Sequence, residues 1–546
     1  MQKHQIKENI VLVCRCDLIG EILKEYDEIN SIEVFESYIL FKIQERKYSL
    51  HMFDEDDFPI ICIVDNDMSY PHFMLRAIEI EGSMHRSICL FEEGSMIKYI
   101  HTFEEKIHLC IDSLIELIHL PYDKIVEEYQ KEFLFYWKRA CNVKSKYEKL
   151  KYQLYLDNPE KYQWFEQQIF SKDVIRISYT NRYFNDSKEK KAIDNIPALY
   201  LPLQDIRKLI PPIDKKEWGG KEICDILDNP SYQRIPTEAF NDIVNKSYSE
   251  KSIVLIFQLN ALYFGCVVEF KNPGTAKLIN KFETQIEKVI PIYVERCDFE
   301  FLNNQIGNEV HNEKICIVGC GSLGSYVTTE LVRAGYKNIT IIDGDKYEAP
   351  NTFRHSITVS HWGFNKSILH AWQLKFIHPE INIETVDKFL TSENIEECKI
   401  NEFDIIIFTV GNSDVQLKLN KALKKQNINK TIIYAWLEHD GKTSHIAVIN
   451  GFSNGCFECI FTDDNGELCG NVINVAPKNE IKYVRNGCGG TRVPYGNKTL
   501  LDATSMLLKA LDELQGENVL YSYIDDCVIK KTFPSNERCN CCGVCK

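Results

Sequence analysis

Apolar runs alternate with helical segments in the last part of the chain. The runs Ile315–Val318 and Ile339–Ile342 are typical of strands that a parallel sheet buries on both faces. Two further apolar strands and a helix are predicted, at Ile405–Val410, Thr431–Trp436 and Leu500–Leu514. This alternation predicts a doubly wound, Rossmann-like α/β domain over residues 301–546.

The first 150 residues have a different pattern. Short strands separated by turns are predicted at Ile32–Glu36, Tyr38–Gln44, Lys47–Phe53 and Ile60–Val64. In His101–Ile118, apolar residues then recur at spacings of three and four, which predicts a helix with one buried face. An antiparallel meander followed by a helix indicates an α+β domain over residues 1–150.

Residues 151–300 give weaker signals. Ser252–Leu259 and Ala261–Phe270 indicate a hairpin around Asn260. No residue pattern here indicates chemistry, so a middle linker or scaffold domain is expected.

Composition is that of a globular protein and argues against some partners. Of the 546 residues 44% are hydrophobic and 26% are charged, and the net charge of −15 argues against nucleic acid as the main partner. No apolar run approaches the roughly 18 residues that span a bilayer, and the polar N-terminus lacks the apolar core of a signal peptide. With 21 cysteines and no such signal, a reducing cytoplasm is expected, where thiols serve as core residues, metal ligands or nucleophiles.

A glycine-rich turn follows the first strand of the α/β domain. Gly319, Gly321 and Gly324 form G-x-G-x-x-G, in which missing Cβ atoms let backbone N–H groups approach a phosphate at a helix N-terminus. The next strand delivers Asp343 and Asp345 about 20 residues later, where an acid can contact a ribose. The pattern predicts a nucleotide site.

The residues beyond the acidic pair narrow the kind of nucleotide site. The D-x-D motif is followed by N-x-x-R at Asn351 and Arg354 and by G-x-x-K at Lys366. This order resembles the ThiF/MoeB-type adenylation domain, which occurs in ubiquitin-activating enzymes and in their bacterial relatives in thiamine and molybdopterin synthesis. The resemblance implies that ATP binds with Mg²⁺, that Asp343 holds the ribose, and that the other three residues contact the phosphates. Such groups suit the joining of a carboxylate to ATP, because negative charge builds on the α-phosphate as pyrophosphate leaves.

One position departs from the family pattern. The family usually has an Asp-Asn pair after the next strand, whose Asp helps to hold Mg²⁺, whereas this chain has Gly411-Asn412. Asp414 or Asp345 can supply the missing oxygen, since Mg²⁺ needs only one or two carboxylates beside phosphates and water. The sequence does not decide which of these two residues binds Mg²⁺.

Two C-x-x-C half-sites suggest a structural metal centre. The first is formed by Cys456 and Cys459, and the tail supplies four more thiols, at Cys539, Cys541, Cys542 and Cys545. Four thiolates at such spacing suit tetrahedral Zn²⁺. The adenylation family often carries this zinc site with a glycine after its second half, which favours the pair Cys539 and Cys542, and the other two tail cysteines stay open as substitutes.

Cys488 is the candidate nucleophile of the activating domain. It lies among glycines in Asn486–Gly490, where a thiol is expected to be accessible. Activating enzymes carry near this position a loop cysteine that takes the acyl group from the adenylate as a thioester. Cys469 is the alternative.

Cys89 is a second candidate nucleophile. It follows the meander and precedes the predicted helix, an order that resembles ubiquitin-conjugating enzymes, whose active thiol lies just before a helix. The upstream Tyr-Pro-His ending at His72 is similar to their H-P-N element without its Asn, so His72 or His85 is the candidate for oxyanion or proton duties. Cys110 lies on the apolar face of its helix and is predicted to be core.

The order of the domains also carries a resemblance. A ubiquitin-conjugating-like domain (1–150), a linker (151–300) and an activating domain (301–546) look like the fused enzymes of bacterial antiphage operons, notably those of CBASS systems. The resemblance implies adenylation of the C-terminal carboxylate of a partner protein, there a cyclic-oligonucleotide synthase, transfer through thioesters on Cys488 and Cys89, and conjugation to a target lysine. It also implies a homodimer, because family members pair their adenylation domains.

Three other functions stay open. The chain can serve a dedicated ubiquitin-like protein, or act as a sulfur-carrier adenylyltransferase, although the latter has no use for Cys89. A non-catalytic nucleotide-binding scaffold is the third, and Gly411 keeps it open. Neither a membrane nor a direct nucleic-acid partner is expected.

Overall fold

The computed structural model describes most of the chain in two compact units, one running to Arg296 and the other from Cys297 onward. Among the residues described, no helix has the length and apolarity needed to cross a membrane. The described residues are 16–35, 37–52, 57–65, 71–91, 98–141, 147, 150–165, 167–171, 173–178, 196–203, 209–212, 217–228, 237–259, 262–271, 282–358, 361–468, 484–485, 491–492, 494–514 and 516–543.

An antiparallel sheet and two helices begin the first unit. The elements are α1 (Cys16–Leu23), β1 (Ile29–Val34), β2 (Ile39–Ile43), β3 (Arg46–His51), β4 (Ile60–Val64), β5 (Phe73–Ile80), β6 (Ser83–Ile88) and α2 (Phe103–Ile118). The strands follow the order β1-β2-β3-β4-β6-β5, with every neighbouring pair antiparallel. The predicted meander is confirmed for β1 to β4, whereas the apolar pattern does not predict β5 and β6.

Helix α2 begins and packs as its sequence predicts. The Thr102 hydroxyl accepts the N–H of Glu105, and the Glu105 carboxylate accepts the N–H of Thr102, which caps the first turn. The buried residues Ile107, Ile111 and Leu114 then pack in one core with the strand residues of the meander. The spacing of three and four therefore identified the buried face correctly.

A second, mixed sheet completes the first unit. Its elements are α3 (Tyr122–Lys131), α4 (Phe133–Ala140), β7 (Lys151–Tyr155), β8 (Gln163–Phe165), β9 (Gln167–Ser171), β10 (Val174–Ser178), β11 (Ala198–Leu203), α5 (Gly220–Asp228), α6 (Thr237–Ser249), β12 (Ser252–Leu259), β13 (Leu262–Phe270), α7 (Phe282–Gln285) and β14 (Ile286–Arg296). The order is β8-β11-β12-β13-β14-β7-β10-β9. The predicted hairpin is confirmed, because β12 and β13 pair antiparallel with Leu259 opposite Leu262.

Helix α4 belongs to the core of this second sheet. Phe133 and Trp137 are buried in one cluster with sheet residues such as Leu255 and Phe264. The indole N–H of Trp137 donates to the carbonyl of Ile292 at 3.1 Å. The middle region is thus a sheet with its own core, which its weak sequence signals did not reveal.

The second unit contains a doubly wound sheet. Its elements are α8 (Phe299–Gln305), β15 (His311–Val318), α9 (Ser322–Arg333), β16 (Tyr336–Ile342), α10 (Lys366–Ile377), β17 (Asn382–Val386), β18 (Ile405–Phe408), α11 (Ser413–Lys425), β19 (Thr431–Leu437), β20 (Ser444–Asn450), β21 (Val484–Arg485), β22 (Thr491–Arg492), α12 (Asn497–Asp512), β23 (Val519–Ile524) and β24 (Cys527–Thr532). The order is β17-β16-β15-β18-β19-β20-β23-β24, and the five strands from β17 to β19 are parallel. The predicted Rossmann-like fold is confirmed.

Strand β15 lies where the strand order of this sheet reverses. It pairs with β16 on one side and with β18 on the other. Helices cover both faces, because Ile317 shares a core cluster with Val327 of α9, and Val318 shares another with Leu419 of α11. In such sheets ligands bind in the crevice at the carboxyl ends of the strands beside the reversal. The glycine turn after β15 lies at this position.

Candidate active site

The three glycines after β15 serve different purposes. Gly319 has a φ of +96°, a left-handed backbone that favours glycine. A Cβ on Gly324 would lie 2.0 Å from the carbonyl oxygen of Gly319, so only glycine lets α9 pack this closely. Gly321 is the N-cap of α9, and no atom of the described residues lies within 4 Å of the position its Cβ would take. The helix N-terminus is therefore open to an anion such as phosphate.

Asp343, at the end of β16, holds this turn in place. Its buried carboxylate accepts hydrogen bonds from the N–H of Cys320 and, at 2.7 Å, from the N–H of Asp345. From the end of β18, the hydroxyl of Thr409 donates to the Gly319 carbonyl at 2.6 Å. A carboxylate has about four lone-pair sites, so Asp343 keeps capacity for the predicted ribose contact.

Asn351 and Arg354 lie on the loop after β16. Asn351 is buried, and its side-chain oxygen accepts the N–H of Glu348 at 2.8 Å, which fixes the turn before Arg354. The Nε of Arg354 is buried and has no hydrogen-bond partner among the described residues. A buried guanidinium donor without a partner is costly, and an anion would satisfy it. The loop therefore fits a bound phosphate.

Lys366 begins helix α10 beside the acidic pair. Its buried ammonium forms an ion pair with the exposed carboxylate of Asp345. Its N–H also donates to the Asp345 carbonyl at 2.9 Å. The preceding Asn365 caps α10, and its side-chain amide donates to the carbonyl of Asp343 at 2.8 Å. These bonds bring the predicted lysine and both predicted acids to the same end of the sheet.

Two buried histidines join the arginine loop to α9. The Nε2 of His355 donates to the Cys320 carbonyl at 2.8 Å, and the Nε2 of His370 lies 3.1 Å from the Ser356 hydroxyl. Burial lowers the pKa of His355 to about 4 and that of His370 to about 3, so both rings are neutral near pH 7. The sequence analysis missed this pair, and the available signal was that His355 directly follows Arg354.

Gly411 has its own structural reason to be glycine. Its φ is +70°, a conformation in which a Cβ causes strain. The next residue, Asn412, caps α11 by accepting the N–H of Val415 at 3.2 Å. Asp414 is exposed and Asp345 pairs with Lys366, so both predicted alternatives for the Mg²⁺ ligand remain.

Four predicted thiols lie close together in the second unit. The Sγ atoms of Cys456, Cys459, Cys539 and Cys542 are all within 4.8 Å of one another. Cys456 lies 3.7 Å from Cys539, and Cys459 lies 3.2 Å from Cys542. Four Zn–S bonds of about 2.3 Å in a tetrahedron separate the sulfurs by roughly 3.8 Å. The arrangement fits a four-thiolate zinc centre.

Backbone N–H groups and the thiols themselves form hydrogen bonds within this cluster. The N–H groups of Asn536 and Cys456 both donate to the Cys459 sulfur at 3.4 Å. Hydrogen bonding among the thiols, from Cys456 first, lowers the pKa of Cys539, whereas the same network raises the pKa values of Cys459 and Cys542, so it favours a single thiolate, on Cys539. A Cβ on Gly543 would lie 2.5 Å from the Cys539 carbonyl, which explains the glycine after the second half-site.

The alternative zinc ligands are not part of this cluster. Cys541 is outside the group of four, and its sulfur accepts the side-chain amide of Asn420 at 3.2 Å. Cys545 lies outside the described residues. The geometry therefore favours Cys539 and Cys542, the pair that the glycine at position 543 indicated.

Cys89 lies at the end of β6 and is exposed. Its N–H donates to the carbonyl of His72 at 2.8 Å, and its thiol donates to the carbonyl of Phe91 at 3.4 Å. His85 is buried, its Nδ1 lies 2.7 Å from the Ser49 hydroxyl, and burial lowers its pKa. Its oxyanion or proton role stays a prediction. Burial raises the pKa of Cys110 to about 12, as expected for a core thiol.

The predicted activating thiol and its alternative, Cys488 and Cys469, lie outside the described residues. In the sequence, Cys488 falls between β21 and β22, which pair antiparallel with Val484 opposite Arg492. Its role as nucleophile stays a prediction.

The crevice combines an open helix N-terminus with two cations and two carboxylates. Arg354 and Lys366 can balance the charge of a triphosphate, and Asp343 and Asp345 can meet a ribose or a divalent cation. A site for a dinucleotide would need the glycines and an acid but not the two cations. The residues present suit a reaction that builds charge on a phosphate.

Comparison with known proteins agrees with this geometry. Residues 295–520 match the ThiF family. The ATP-dependent ubiquitin transferase-like protein Cap2 of Vibrio cholerae is 27% identical over 272 residues, which cover 46% of this chain and 45% of that protein. The ubiquitin-like modifier-activating enzyme 5 of Drosophila mojavensis is 29% identical over 167 residues, or 28% of this chain and 40% of that enzyme.

Solved structures also match part of the chain at low overall similarity. Escherichia coli MccB, solved with ATP, has a TM-score of 0.32 and 21% identity, covering 42% of this chain and 67% of that chain. The matched region spans less than half of the length of the two curated relatives. Residues 295–520 of this chain thus resemble the ThiF family.

Proposed function

We propose that the chain activates the C-terminal carboxylate of a partner protein by adenylation with ATP. The observation that carries this proposal is the crevice beside β15, where the open N-terminus of α9 faces a loop with an unsatisfied buried Arg354 Nε. Relatives described as ubiquitin-activating or ubiquitin-transferase-like proteins support it. The residues proposed to contact ATP are Gly319, Gly321, Gly324, Asp343, Asn351, Arg354 and Lys366.

In the proposed first step, a carboxylate oxygen of the partner attacks the α-phosphorus of ATP and pyrophosphate leaves. Arg354 and Lys366 stabilise the charge that develops on the phosphates, and the N–H groups at the start of α9 hold phosphate oxygens. Lys366 exchanges the Asp345 carboxylate for a phosphate oxygen. Asp345 then becomes available to Mg²⁺, with Asp414 as the alternative ligand, and Mg²⁺ when bound adds positive charge at the phosphates.

The proposed next steps are acyl transfers between thiols. The thiolate of Cys488 attacks the acyl carbon and AMP leaves, and the thiolate of Cys89 then takes the acyl group from Cys488. The amine of a target lysine finally attacks the Cys89 thioester, an amide forms, and the thiol is released. The exposure of Cys89 supports this role. Two thiols on one chain also raise the effective concentration for the transfer.

The proposed carboxylate donor is a cyclic-oligonucleotide synthase of an antiphage operon, as in CBASS systems. The similarity to Cap2 supports this choice over a dedicated ubiquitin-like protein, which is the alternative. A sulfur-carrier adenylyltransferase would leave the first unit, with its exposed Cys89, without a purpose.

A surface on α10 supports the proposed homodimer. Ile368, Trp372 and Phe376 lie on α10 at spacings of four residues and are exposed, and Phe364 and Trp362, which precede the helix in the chain, are also exposed. A large aromatic side chain carries roughly 150–250 Å² of surface, and a standard interface buries about 800 Å² per partner. This α10 surface therefore supplies a large share of an interface between two copies of the domain.

The nucleotide chemistry is tested by the two cations. Arg354→Ala and Lys366→Ala are each expected to lower ATP–pyrophosphate exchange about a hundredfold, because each removes charge that stabilises the leaving pyrophosphate. Exchange is measured with donor proteins encoded beside this gene. The control is Arg333→Ala, whose exposed guanidinium pairs with Glu330 at the end of α9, and it should leave exchange unchanged. Exchange at the wild-type rate in Arg354→Ala would contradict the proposal, and absence of exchange with every donor would favour a scaffold.

The order of the thiols is tested by non-reducing electrophoresis with ATP and the donor. We expect two adducts that dithiothreitol removes. Cys89→Ala should keep one adduct and lose the lysine-linked product, whereas Cys488→Ala should lose both adducts because Cys89 receives its acyl group from Cys488. The matched control is Cys527→Ala, which removes an exposed thiol on β24. If Cys89→Ala still forms the final product, the conjugating role is wrong.

The proposed zinc centre predicts a difference between neighbouring cysteines. Cys539→Ser should release most of the bound zinc and lower the thermal unfolding temperature, because a structural zinc ion contributes directly to folding. Cys541→Ser, which changes a thiol outside the group of four, should retain the metal. Zinc content by mass spectrometry and calorimetry give the two readouts. Equal loss of zinc from both variants would show that the ligands are assigned wrongly.

The proposed dimer is tested by a charge on the α10 surface. Phe376→Glu should weaken self-association at least about tenfold, because it puts a carboxylate into an apolar interface. Sedimentation equilibrium measures the effect. Leu501→Glu introduces the same charge at an exposed leucine of α12 and should leave the dimer intact. A wild-type monomer, or equal dissociation of the two variants, would refute this surface.

A further inference from the structure

The turn before β5 carries an unusual backbone next to Cys89. His72 has a φ of +69°, in the left-handed region that few residues other than glycine adopt. Its carbonyl accepts the N–H of Cys89 at 2.8 Å. The position of the Cys89 amide is therefore set directly by the backbone of His72.

Both ring nitrogens of His72 face carboxylates of other elements. The Nδ1 atom lies 2.7 Å from Oε1 of Glu132, and the Nε2 atom lies 3.2 Å from Oε2 of Glu128. The N–H of His72 also donates to the Tyr136 hydroxyl at 3.1 Å. The further charged group at this contact is Lys131 of α3, which pairs with Glu128 at 2.5 Å. His72 thus contacts α3 through Glu128, the junction before α4 through Glu132, and α4 through Tyr136.

These helices are held by the second sheet of the unit. Glu132 lies between α3 and α4, directly before Phe133. Phe133 and Trp137 are fully buried in the core of that sheet, and Trp137 is hydrogen-bonded to Ile292. The contacts of His72 therefore connect the Cys89 turn to a helix with a fixed position.

We propose that His72 is a positioning residue for Cys89, which clamps the turn carrying this thiol to Glu128 and Glu132 of the α3–α4 pair. The inference rests on the proposed function of Cys89 as a conjugating thiol. When the ring is protonated, both ring nitrogens donate to carboxylates, so in this state His72 has no lone pair that could accept a proton from Cys89 or from an incoming amine. The proposal gives His72 a role in placement, and the sequence-based expectation of oxyanion or proton duties for His72 or His85 stays a prediction.

The clamp is expected to weaken as the pH rises, because it depends on the charge of His72 between two carboxylates. Burial lowers the pKa of His72, but the carboxylates of Glu132 and Glu128 outweigh it and raise the pKa above its ordinary 6.5. A raised pKa in the folded state means that the clamp is fully formed below pH 6.5, as long as both glutamates are ionised, and is lost as the pH rises through the raised pKa.

The test is hydrogen–deuterium exchange of the Cys89 amide in the full chain, corrected for intrinsic exchange and measured across this pH range. His72→Gln should expose the amide to about fivefold to tenfold faster exchange at low pH, because the charged contacts are lost. Glu132→Gln should act in the same way, and the double variant should be no faster than the faster single variant. The control is His119→Gln, which should leave the exchange of the Cys89 amide unchanged. His119 directly follows α2 and pairs with Glu28 at 2.9 Å.

A lysine at the same position separates the clamp from a merely structural contact. His72→Lys keeps a positive charge with an ordinary pKa of about 10.4, so protection of the Cys89 amide should persist to higher pH than in the wild type. Neither Gln nor Lys relieves the left-handed backbone, so the two variants carry the same strain. Unchanged exchange in His72→Gln, or additive effects in the double variant, would overturn the proposal.

The same variants separate this inference from the function of Cys89. If the exchange follows His72 but no thioester forms on Cys89 in the wild type, the clamp stands and the conjugating role fails. If the thioester forms but the exchange rate of the Cys89 amide is unchanged in the His72 variants, the conjugating role stands and the clamp fails. If both stand, His72→Gln should slow acyl transfer to Cys89 and leave ATP–pyrophosphate exchange unchanged.

Discussion

The close approach of α9 to the Gly319 carbonyl is the constraint on which the candidate site depends. A Cβ at Gly324 would lie 2.0 Å from that oxygen, so a larger residue would push the helix away from the turn. The same oxygen accepts the hydroxyl of Thr409 from the neighbouring strand β18, and Asp343 from β16 holds the next N–H. Three strand ends are therefore joined at one point, and the helix N-terminus is directed into the crevice between them.

The charged groups around this turn suit a strongly negative ligand. Lys366 is paired with Asp345, whereas the buried Nε of Arg354 lacks a partner among the described residues. Two neutral histidines lie beneath the turn, and their low pKa values keep further positive charge out of the buried layer. The cationic groups are thus confined to the crevice, where a triphosphate would balance them.

The doubly wound sheet and its glycine turn could be predicted because they depend on local sequence. Parallel strands buried on both faces give continuous apolar runs, and metal half-sites such as Cys456 with Cys459 have a recognisable spacing. The mixed sheet of the first unit could not be predicted, since β7 pairs in parallel with β14, more than a hundred residues later in the chain. Of the histidine pair, His355 could be noticed because it directly follows Arg354, whereas the role of His370 follows from burial and has no signal in the spacing.

Histidines in this chain have opposite roles because their surroundings differ. His370 is fully buried among hydroxyl and thiol groups, so desolvation lowers its pKa and the neutral ring serves as a hydrogen-bonding spacer. His72 is also partly buried, yet two carboxylates reverse the sign of the shift. A charged ring between two acids, one on α3 and one at the junction of α3 and α4, links the Cys89 turn to these helices, whereas a neutral ring fills a core. The carboxylates raise the pKa of His72, whereas burial lowers that of His370 to about 3, so of these two rings only the one beside Cys89 gains positive charge as the pH falls toward 6.5.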